Sequence, residues 1–173
     1  MIRTLILVPA ALWAFVPVLA QAAPAPLPKG IPIDLAVEAA KAAVDACTAD
    51  GYNAVAIVLN GEATPIVTLQ DGTRTNTMEG ARRKAYTALK SHMTSMEFGK
   101  SIGFKSTRLK PGDPPTQFGV IDGDPSLIPF GGGVPITVGG DVVAAIAASG
   151  APGPDKDEAC AKAGLAKISD RLK

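Results

Sequence analysis

Apolar positions recur along this chain with helical spacing in some stretches and with strand character in others. A first helix follows Asp34, which we expect to cap it, and Gly51 supplies its end. Next, a β-branched run over 52–59, the turn Asn60-Gly61 and a second run over 62–70 predict a β-hairpin. The apolar positions of the first helix are Leu35, Ala39, Ala42, Ala43, Ala46 and Cys47.

The middle of the chain predicts two helices and a long loop. Asn76 and Glu79 stand at the spacing of a capping box, which predicts a helix over about 77–93, and the stretch 95–103 predicts one more short helix. The segment 104–133 is rich in Pro and Gly, and a stretch of that length without regular structure is typical of one that covers or builds a site. The apolar side of the longer helix consists of Ala81, Ala85, Ala88 and Leu89.

The last part of the chain predicts a second hairpin and a final helix. The strand 134–138 and the nearly all-apolar strand 141–148 flank the turn Gly139-Gly140, and an all-apolar strand is typical of burial on both faces. Sequential hairpins form an antiparallel sheet, so the order of elements predicts one α+β domain with helices covering the sheet in two or three layers. We expect Asp155 to cap the final helix, which runs to about Leu172 with these residues facing inward: Ala159, Cys160, Ala163 and Ile168.

The N-terminal residues 1–22 have the pattern of a signal peptide. Arg3 precedes an apolar run that ends in Ala20-Gln21-Ala22, the small-x-small pattern that signal peptidase accepts. A membrane anchor is the alternative, but the run is shorter than the roughly 20 residues of a spanning helix, and prolines interrupt it. We therefore expect an extended leader over 23–31, a single domain over 32–173, a periplasmic or secreted location, and no membrane span after cleavage.

Charge excludes some classes of partner. Arg3 is the only charged residue of the predicted signal peptide, so cleavage removes one of the 17 basic residues and leaves them equal in number to the 16 acidic ones. A neutral chain has no bulk attraction to nucleic acid or anionic lipid. Basic residues nevertheless concentrate over 74–110 and acidic ones over 111–158. These stretches are two solvated faces, or they form a small-anion site or a subunit contact, and the sequence leaves both open.

The chain has two cysteines, Cys47 and Cys160, one in each terminal helix. In an exported protein a single disulfide is the economical expectation, and a C-x-x-C redox motif is absent. The bond would tie the two helices together and close a long loop, which the chain-entropy model values at about 4–5 kcal/mol.

Catalytic and metal motifs are sparse in the sequence. Gly-x-Ser-x-Gly is absent, and His92 is the one histidine of the chain, so a triad would have to be built around it. His92 also has no second histidine, and no carboxylate nearer than Glu97, for a closed zinc site. The glycines 131–133 precede a strand rather than a helix, which argues against a phosphate loop and leaves a tight turn beside a ligand or a subunit.

One constellation does suggest a cofactor. His92, Met93 and Met96 lie close together at the end of the predicted second helix, and each has a side chain able to ligate haem iron. The ordinary alternative is that the methionines belong to the core and the histidine to the surface. Haem propionates would find cations on the same helix in Arg82, Arg83, Lys84 and Lys90.

Four motifs follow one another along the domain. The second helix carries Lys84-Ala85-Tyr86-Thr87-Ala88, and a later strand carries Gly132-Gly133-Val134-Pro135-Ile136. The next strand is a small-residue run ending in Ser149-Gly150, and the last helix begins with acidic residues. Together these motifs resemble the GlcG/HbpS-like haem-binding family, also described as a haem-degrading, DUF336-type domain. The resemblance covers roughly 32–166. It implies a profilin-like fold, an antiparallel sheet of about five strands covered by helices, and frequent homo-oligomers. It also suggests a haem-related role for Thr94.

The sequence thus supports an exported protein that binds haem or a similar porphyrin, with His92 as first choice of axial ligand. Two alternatives stay open. The first is a cofactor-free oligomeric accessory module, in which the basic helix packs against the acidic segment of a neighbour. The second is an enzyme acting on a small organic acid or on haem, which we favour less than binding because no residue set in the sequence identifies its active site.

Overall fold

The structure is a computed structural model, and it describes residues 30–72, 77–104, 121 and 123–172. The predicted signal peptide, nearly all of the leader, the capping residue Asn76 and most of the long loop lie outside the described residues. Within these ranges, no helix combines the length and the apolar composition needed to cross a membrane.

The described ranges contain helices and strands in the predicted order. The helices are α1 (Ile33–Ala49), α2 (Thr77–Ser91), α3 (Ser95–Ser101) and α4 (Pro154–Ile168), with a 3-10 turn over Ser169–Arg171. The strands are β1 (Val55–Asn60), β2 (Pro65–Gln70), β3 (Gly133–Val138) and β4 (Asp141–Ser149).

The strands form one antiparallel sheet in the order β2-β1-β4-β3. Each hairpin pairs locally, and β1 joins β4 with Val55 opposite Ser149 and Asn60 opposite Ala144. The α+β class and the antiparallel sheet agree with the sequence prediction. Four strands lie in the part of the chain that the structure describes, against the roughly five that the resemblance implies.

Both faces of the sheet are covered, which gives three layers. On one face α1 and α4 pack over Ala144, Ile146 and Ala148 of β4. On the other face α2 packs over Ala145 and Ala147. The small side chains let the helices approach the sheet closely, and β4 is buried on both faces as its apolar run predicted.

The ends of two helices differ from the prediction. α1 begins at Ile33 after Pro32, so Asp34 lies in the first turn and does not cap the helix. α2 ends at Ser91, two residues before the predicted end, because the backbone of His92 is left-handed with φ 58°.

The final helix also starts and faces differently. Its N-cap is Gly153 and its first residue is Pro154, a residue suited to the first turn, so Asp155 was wrongly predicted as the cap. The α-helix gives way to the 3-10 turn after Ile168 and does not reach Leu172. The predicted inward residues Cys160 and Ile168 are buried, but Ala159 and Ala163 are exposed, and the inward places are taken by Ala161 and Gly164.

The structure contains the predicted disulfide between Cys47 of α1 and Cys160 of α4. Their Cα atoms are 5.4 Å apart, and the bond joins positions separated by 113 residues. Both cysteines are buried in the core beneath the two helices. The bond therefore fixes α1 to α4 on one face of the sheet.

Candidate functional site

The exposed face of α2 carries Arg82, Tyr86 and Lys90, one helical turn apart. Arg82 makes a two-pronged contact with Glu79, each N–O distance being 2.8 Å, and this holds the pKa of Glu79 below its usual value. The Tyr86 hydroxyl donates to Asp124 at 2.7 Å, which raises the pKa of Tyr86. The Lys90 ammonium stands 5.6 Å from the centre of the Tyr86 ring. This face is thus a charged surface with its basic groups near solvent.

Arg83 has a different environment, because its guanidinium is bonded to backbone. It donates to the carbonyl oxygens of Pro125 at 2.7 Å and Leu127 at 3.0 Å. The neighbouring Thr87 hydroxyl accepts the N–H of Ile128 at 2.9 Å. Together these bonds fasten the segment 125–128 to α2. Desolvation lowers the pKa of Arg83.

Lys84 is buried and forms an ion pair with Asp157 of α4. The Nζ–Oδ2 distance is 2.5 Å, and the side chains are only 8% and 6% exposed. Longer contacts join the same Nζ to the Ser149 hydroxyl at 3.3 Å and the Ala148 carbonyl at 3.5 Å. The other oxygen of Asp157 accepts the N–H of Ala151 at 2.9 Å. Burial lowers the pKa of Lys84 and raises that of Asp157, since each charge is removed from water.

A pocket of about 350 Å³ opens beside this pair. Most of its lining is apolar, and Gly80 lies on its wall one turn before Lys84. A Cβ at Gly80 would stand 3.1 Å from the Ser149 hydroxyl, so the missing side chain keeps this approach to the pair open. The lining residues are Gly80, Lys84, Ile128, Phe130, Ala151, Pro152, Gly153, Pro154 and Asp157.

Gly132 and Gly133 lie where the backbone packs too closely around the Lys84–Asp157 pair to leave room for a side chain. Gly132 has φ 130°, and a Cβ there would come within 2.6 Å of the Ala148 carbonyl and 2.8 Å of the Lys84 side chain. Gly133 opens β3, and its N–H donates to the Ser95 hydroxyl at 2.8 Å. The glycines therefore let the backbones of β3, β4 and α2 pack directly against one another. This agrees with the tight turn that the sequence predicted at 131–133.

The predicted haem ligands gather at the turn between α2 and α3. His92 is exposed in its left-handed conformation, and Met93 is half-buried beside it. Thr94 is buried and caps α3: its hydroxyl accepts the Glu97 N–H at 3.1 Å, and its own N–H donates to the Glu97 carboxylate at 2.9 Å. Met96 is half-buried in the first turn of α3. The structure thus brings these residues to one corner of the molecule.

The four basic residues of α2 do not form one cluster with this corner. Arg82 and Lys90 lie on the exposed face, Arg83 is bonded to the backbone of 125–127, and Lys84 points to Asp157. Lys84 also precedes His92 by eight residues, which is about 12 Å along a helix at 1.5 Å per residue.

The donor groups at this corner fit haem in their chemistry, because an exposed imidazole and a neighbouring thioether are both axial ligands of haem iron. A directly bound metal ion has less support. Across the described part of the chain, no three His, Cys, Asp or Glu side chains gather closely enough to hold one.

Sequence reasoning missed the ion pair between Lys84 and Asp157. A signal was present, since Lys84 stands at helical spacing with the buried Ala81 and Ala88 on the apolar side of α2. A lysine on that side has to be buried, and a buried lysine needs an acidic partner. The sequence alone did not single out Asp157 among the acidic residues that begin the last helix.

Comparisons with known proteins give the following matches. The family model described as "Haem degrading protein HbpS-like" matches residues 31–166. A solved structure of HbpS is 31% identical, with 86% of this chain and 97% of that chain covered and a TM-score of 0.69. No curated protein matches the chain.

Two more distant structures share the fold. The Klebsiella pneumoniae protein ORFY, a DUF336 protein, is 18% identical and has a TM-score of 0.67. The match covers 87% of this chain and 98% of the ORFY chain. The protein in a PduOC:haem complex is 20% identical and has a TM-score of 0.66. The match covers 80% of this chain and 95% of the PduOC chain.

Proposed function

This chain belongs to the HbpS-like haem-degrading protein family, since the family model matches residues 31–166, and on that premise we propose that it is an exported haem-binding protein. The observation that carries the proposal is this match over most of the domain. The PduOC protein, which has the same fold and was solved as a haem complex, supports haem as the ligand. We also propose the profilin-like arrangement with a fifth strand that the resemblance implies.

His92 is the proposed axial ligand. Its imidazole is exposed at the turn between α2 and α3, and the thioether of Met93 is next to it in the chain. Bound haem would supply an iron centre that accepts an imidazole nitrogen or a thioether sulfur. Met96 and Thr94 complete the corner, and the capping role of Thr94 keeps α3 in register with it.

Arg82 and Lys90 are the best placed of the predicted propionate partners. Both lie on the exposed face of α2, and Lys90 precedes His92 by two residues. Arg83 and Lys84 were predicted for the same role, but their charged groups are turned to the backbone of 125–127 and to the buried Asp157, whereas Arg82 would exchange only its exposed contact with Glu79. Charge-assisted hydrogen bonds from guanidinium or ammonium to carboxylate are among the stronger polar contacts.

A haemin titration tests the ligand and its site. We expect saturable binding with a shifted Soret band in the wild type, and a band that moves or weakens in His92→Ala and Met93→Ala. Met78→Ala is the matched control, because Met78 is an exposed methionine at the start of α2, away from the corner. A Soret titration that is non-saturable, or that is the same in all four proteins, would contradict haem ligation at this corner.

Export follows from the predicted signal peptide over residues 1–22 and gives a periplasmic or secreted protein. The disulfide supports this location, because such bonds persist in oxidising compartments. Intact-mass measurement of the exported protein without reductant tests both points. We expect a chain that starts near Ala23 with no free thiol, and a precursor-length mass would contradict export by cleavage.

A cofactor-free oligomeric module is the second candidate, and one surface favours it. Ile33 and Val37 are 67% and 42% exposed, one turn apart on α1. They line a groove of about 630 Å³ that also carries side chains of both charges. A patch with both signs can pair with itself across a two-fold axis, so we propose a second copy of this chain as the occupant. The charged groove residues are Asp34, Glu38, Lys41, Asp45 and Lys167.

A further inference from the structure

The pocket beside Lys84 lies away from the turn that carries His92, although the Met96 methyl group reaches the neighbourhood of Gly131 and Pro154 at its edge. Haem ligation, as proposed above, uses the turn after α2, whereas this pocket lies between the first half of α2, the start of α4 and the segment 128–130. It holds a buried lysine whose Nζ is paired with a single carboxylate, that of Asp157. A buried lysine at the base of an apolar pocket is an arrangement used for covalent chemistry with carbonyl compounds.

The pocket has the size of a small-molecule site. Its volume is about 350 Å³, within the range of about 300–1,000 Å³ typical of ligand pockets. The walls contributed by Ile128, Phe130 and Pro152 are apolar, so the body of a ligand would be apolar as well.

We propose that this pocket binds small aldehydes or ketones with an apolar body by forming an imine at the Nζ of Lys84, with Asp157 as the proton donor and acceptor. The polar groups at the base suit a carbonyl better than an anion. Asp157 already balances the charge of Lys84, and an incoming carboxylate or phosphate would face its negative oxygens.

The reaction balances within the pair and the ligand. Lys84 passes a proton to Asp157, and the neutral amine attacks the carbonyl carbon, so that a C–N bond forms while the C=O π bond breaks. The oxygen takes up that proton from Asp157, the nitrogen returns one to the Asp157 carboxylate, and the hydroxyl of the carbinolamine leaves as water with this second proton from Asp157. The products are a protonated imine, the Asp157 carboxylate as its counter-ion, and one water.

The surroundings of the pair support that first proton transfer. Burial lowers the pKa of Lys84 and raises that of Asp157, so both shifts favour the neutral pair. Asp157 on α4 is the charged group that faces Lys84 in the described residues, and β4 contributes the Ser149 hydroxyl and the Ala148 carbonyl. A free amine is the nucleophile that imine formation needs.

Reductive trapping in the wild-type protein tests the proposal. The protein is incubated with a small excess of benzaldehyde and sodium cyanoborohydride, which reduces an imine to a stable benzylamine, and peptide mass spectrometry locates the added benzyl group. We expect Lys84 to be labelled first, ahead of the exposed Lys41 and Lys162. Labelling of exposed lysines with Lys84 unmodified would overturn the proposal.

Two variants separate the pocket from general lysine reactivity. Gly80→Val places a side chain against the Ser149 hydroxyl, in the approach to the ion pair, and we expect loss of the label at Lys84 alone. Lys100→Met removes an exposed lysine from α3 and should leave labelling of Lys84 unchanged. A Gly80→Val protein that folds and is still labelled at Lys84 as fast as the wild type would contradict entry through this pocket. Because the wild-type map needs no substitution, the test does not depend on the folding of a variant.

Discussion

At the scale of single residues, Lys84 and Asp157 form an ion pair in which both partners are buried. Each side chain is nearly inaccessible to solvent, so either charge alone would be unpaired and desolvated. Breaking a buried pair by removing one partner typically costs about 3–5 kcal/mol, whereas replacing both partners by apolar residues is often neutral.

We therefore expect Asp157→Ala to lower the free energy of unfolding by about 3–5 kcal/mol, as measured by urea denaturation. The double variant Lys84→Met/Asp157→Leu should recover most of that loss. Asp45→Ala is the control, because it breaks the exposed pair with Lys41 and should cost no more than about 1 kcal/mol. Equal losses of unfolding free energy in Asp157→Ala and Asp45→Ala would show that burial of the Lys84–Asp157 pair has no special effect.

At the scale of elements, the hydrophobic pattern predicted most of the secondary structure. The run 141–148 was correctly predicted as a strand buried on both faces, because its residues from Val143 onward are all apolar and alternate ones face two different cores. The first hairpin and the short helix after Thr94 also form as predicted. The two-residue turn Asn60-Gly61 was wrong, because the loop continues through Ala63, which is left-handed with φ 63°, and β2 begins only at Pro65. Local patterns of residues specify these elements directly.

The elements that were mispredicted depend on tertiary contacts. The face of α4 is turned so that Gly164, not Ala163, meets α1, and periodicity in an alanine-rich helix does not distinguish these two positions. The haem corner could be predicted as a group of neighbours in sequence. The pocket could not, because it joins Gly80, Phe130 and Pro154 from three separate segments.

Gly164 permits the close approach of α1 and α4. A Cβ there would lie 2.5 Å from the Ala39 carbonyl and 2.9 Å from the Ala43 side chain. We expect Gly164→Ala to destabilise the protein by about 1–3 kcal/mol through overpacking, although Ala is favoured over Gly in a helix by about 1 kcal/mol. Thermal unfolding measures the change. Ala163→Gly, at the exposed neighbouring position, measures the effect of helix propensity alone. Stabilisation by Gly164→Ala would contradict the close contact between α1 and α4 at Gly164.

At the scale of the whole molecule, the disulfide ties together two helices that lie far apart in the chain. The bond links positions 113 residues apart, and for a loop of that length the chain-entropy model gives about 4–5 kcal/mol. We expect Cys47→Ala/Cys160→Ala to lose about that much stability in denaturant. The wild type with and without reductant provides the comparison, and a double variant as stable as the oxidised wild type would contradict the prediction.

The groove on α1 makes a second prediction at this scale. If a second copy covers Ile33 and Val37, the double variant Ile33→Ser/Val37→Ser should lower the mass in solution, as measured by light scattering after size exclusion. Met78→Ser is the matched control, because it removes an exposed apolar side chain from α2. A wild type that is monomeric at all concentrations would exclude this contact.

The strand order has a consequence for when the protein folds. β1 and β4 are neighbours at the centre of the sheet, with Val55 opposite Ser149. β1 leaves the ribosome early and β4 late, and non-local pairing of this kind is slow to form. Each hairpin pairs strands that are close in sequence. The central pairing of β1 with β4, and the core on either side of it, cannot form until β4 has been synthesised. The chain therefore stays open through most of its synthesis, which is the condition that a polypeptide needs if it is to be threaded across a membrane before it folds.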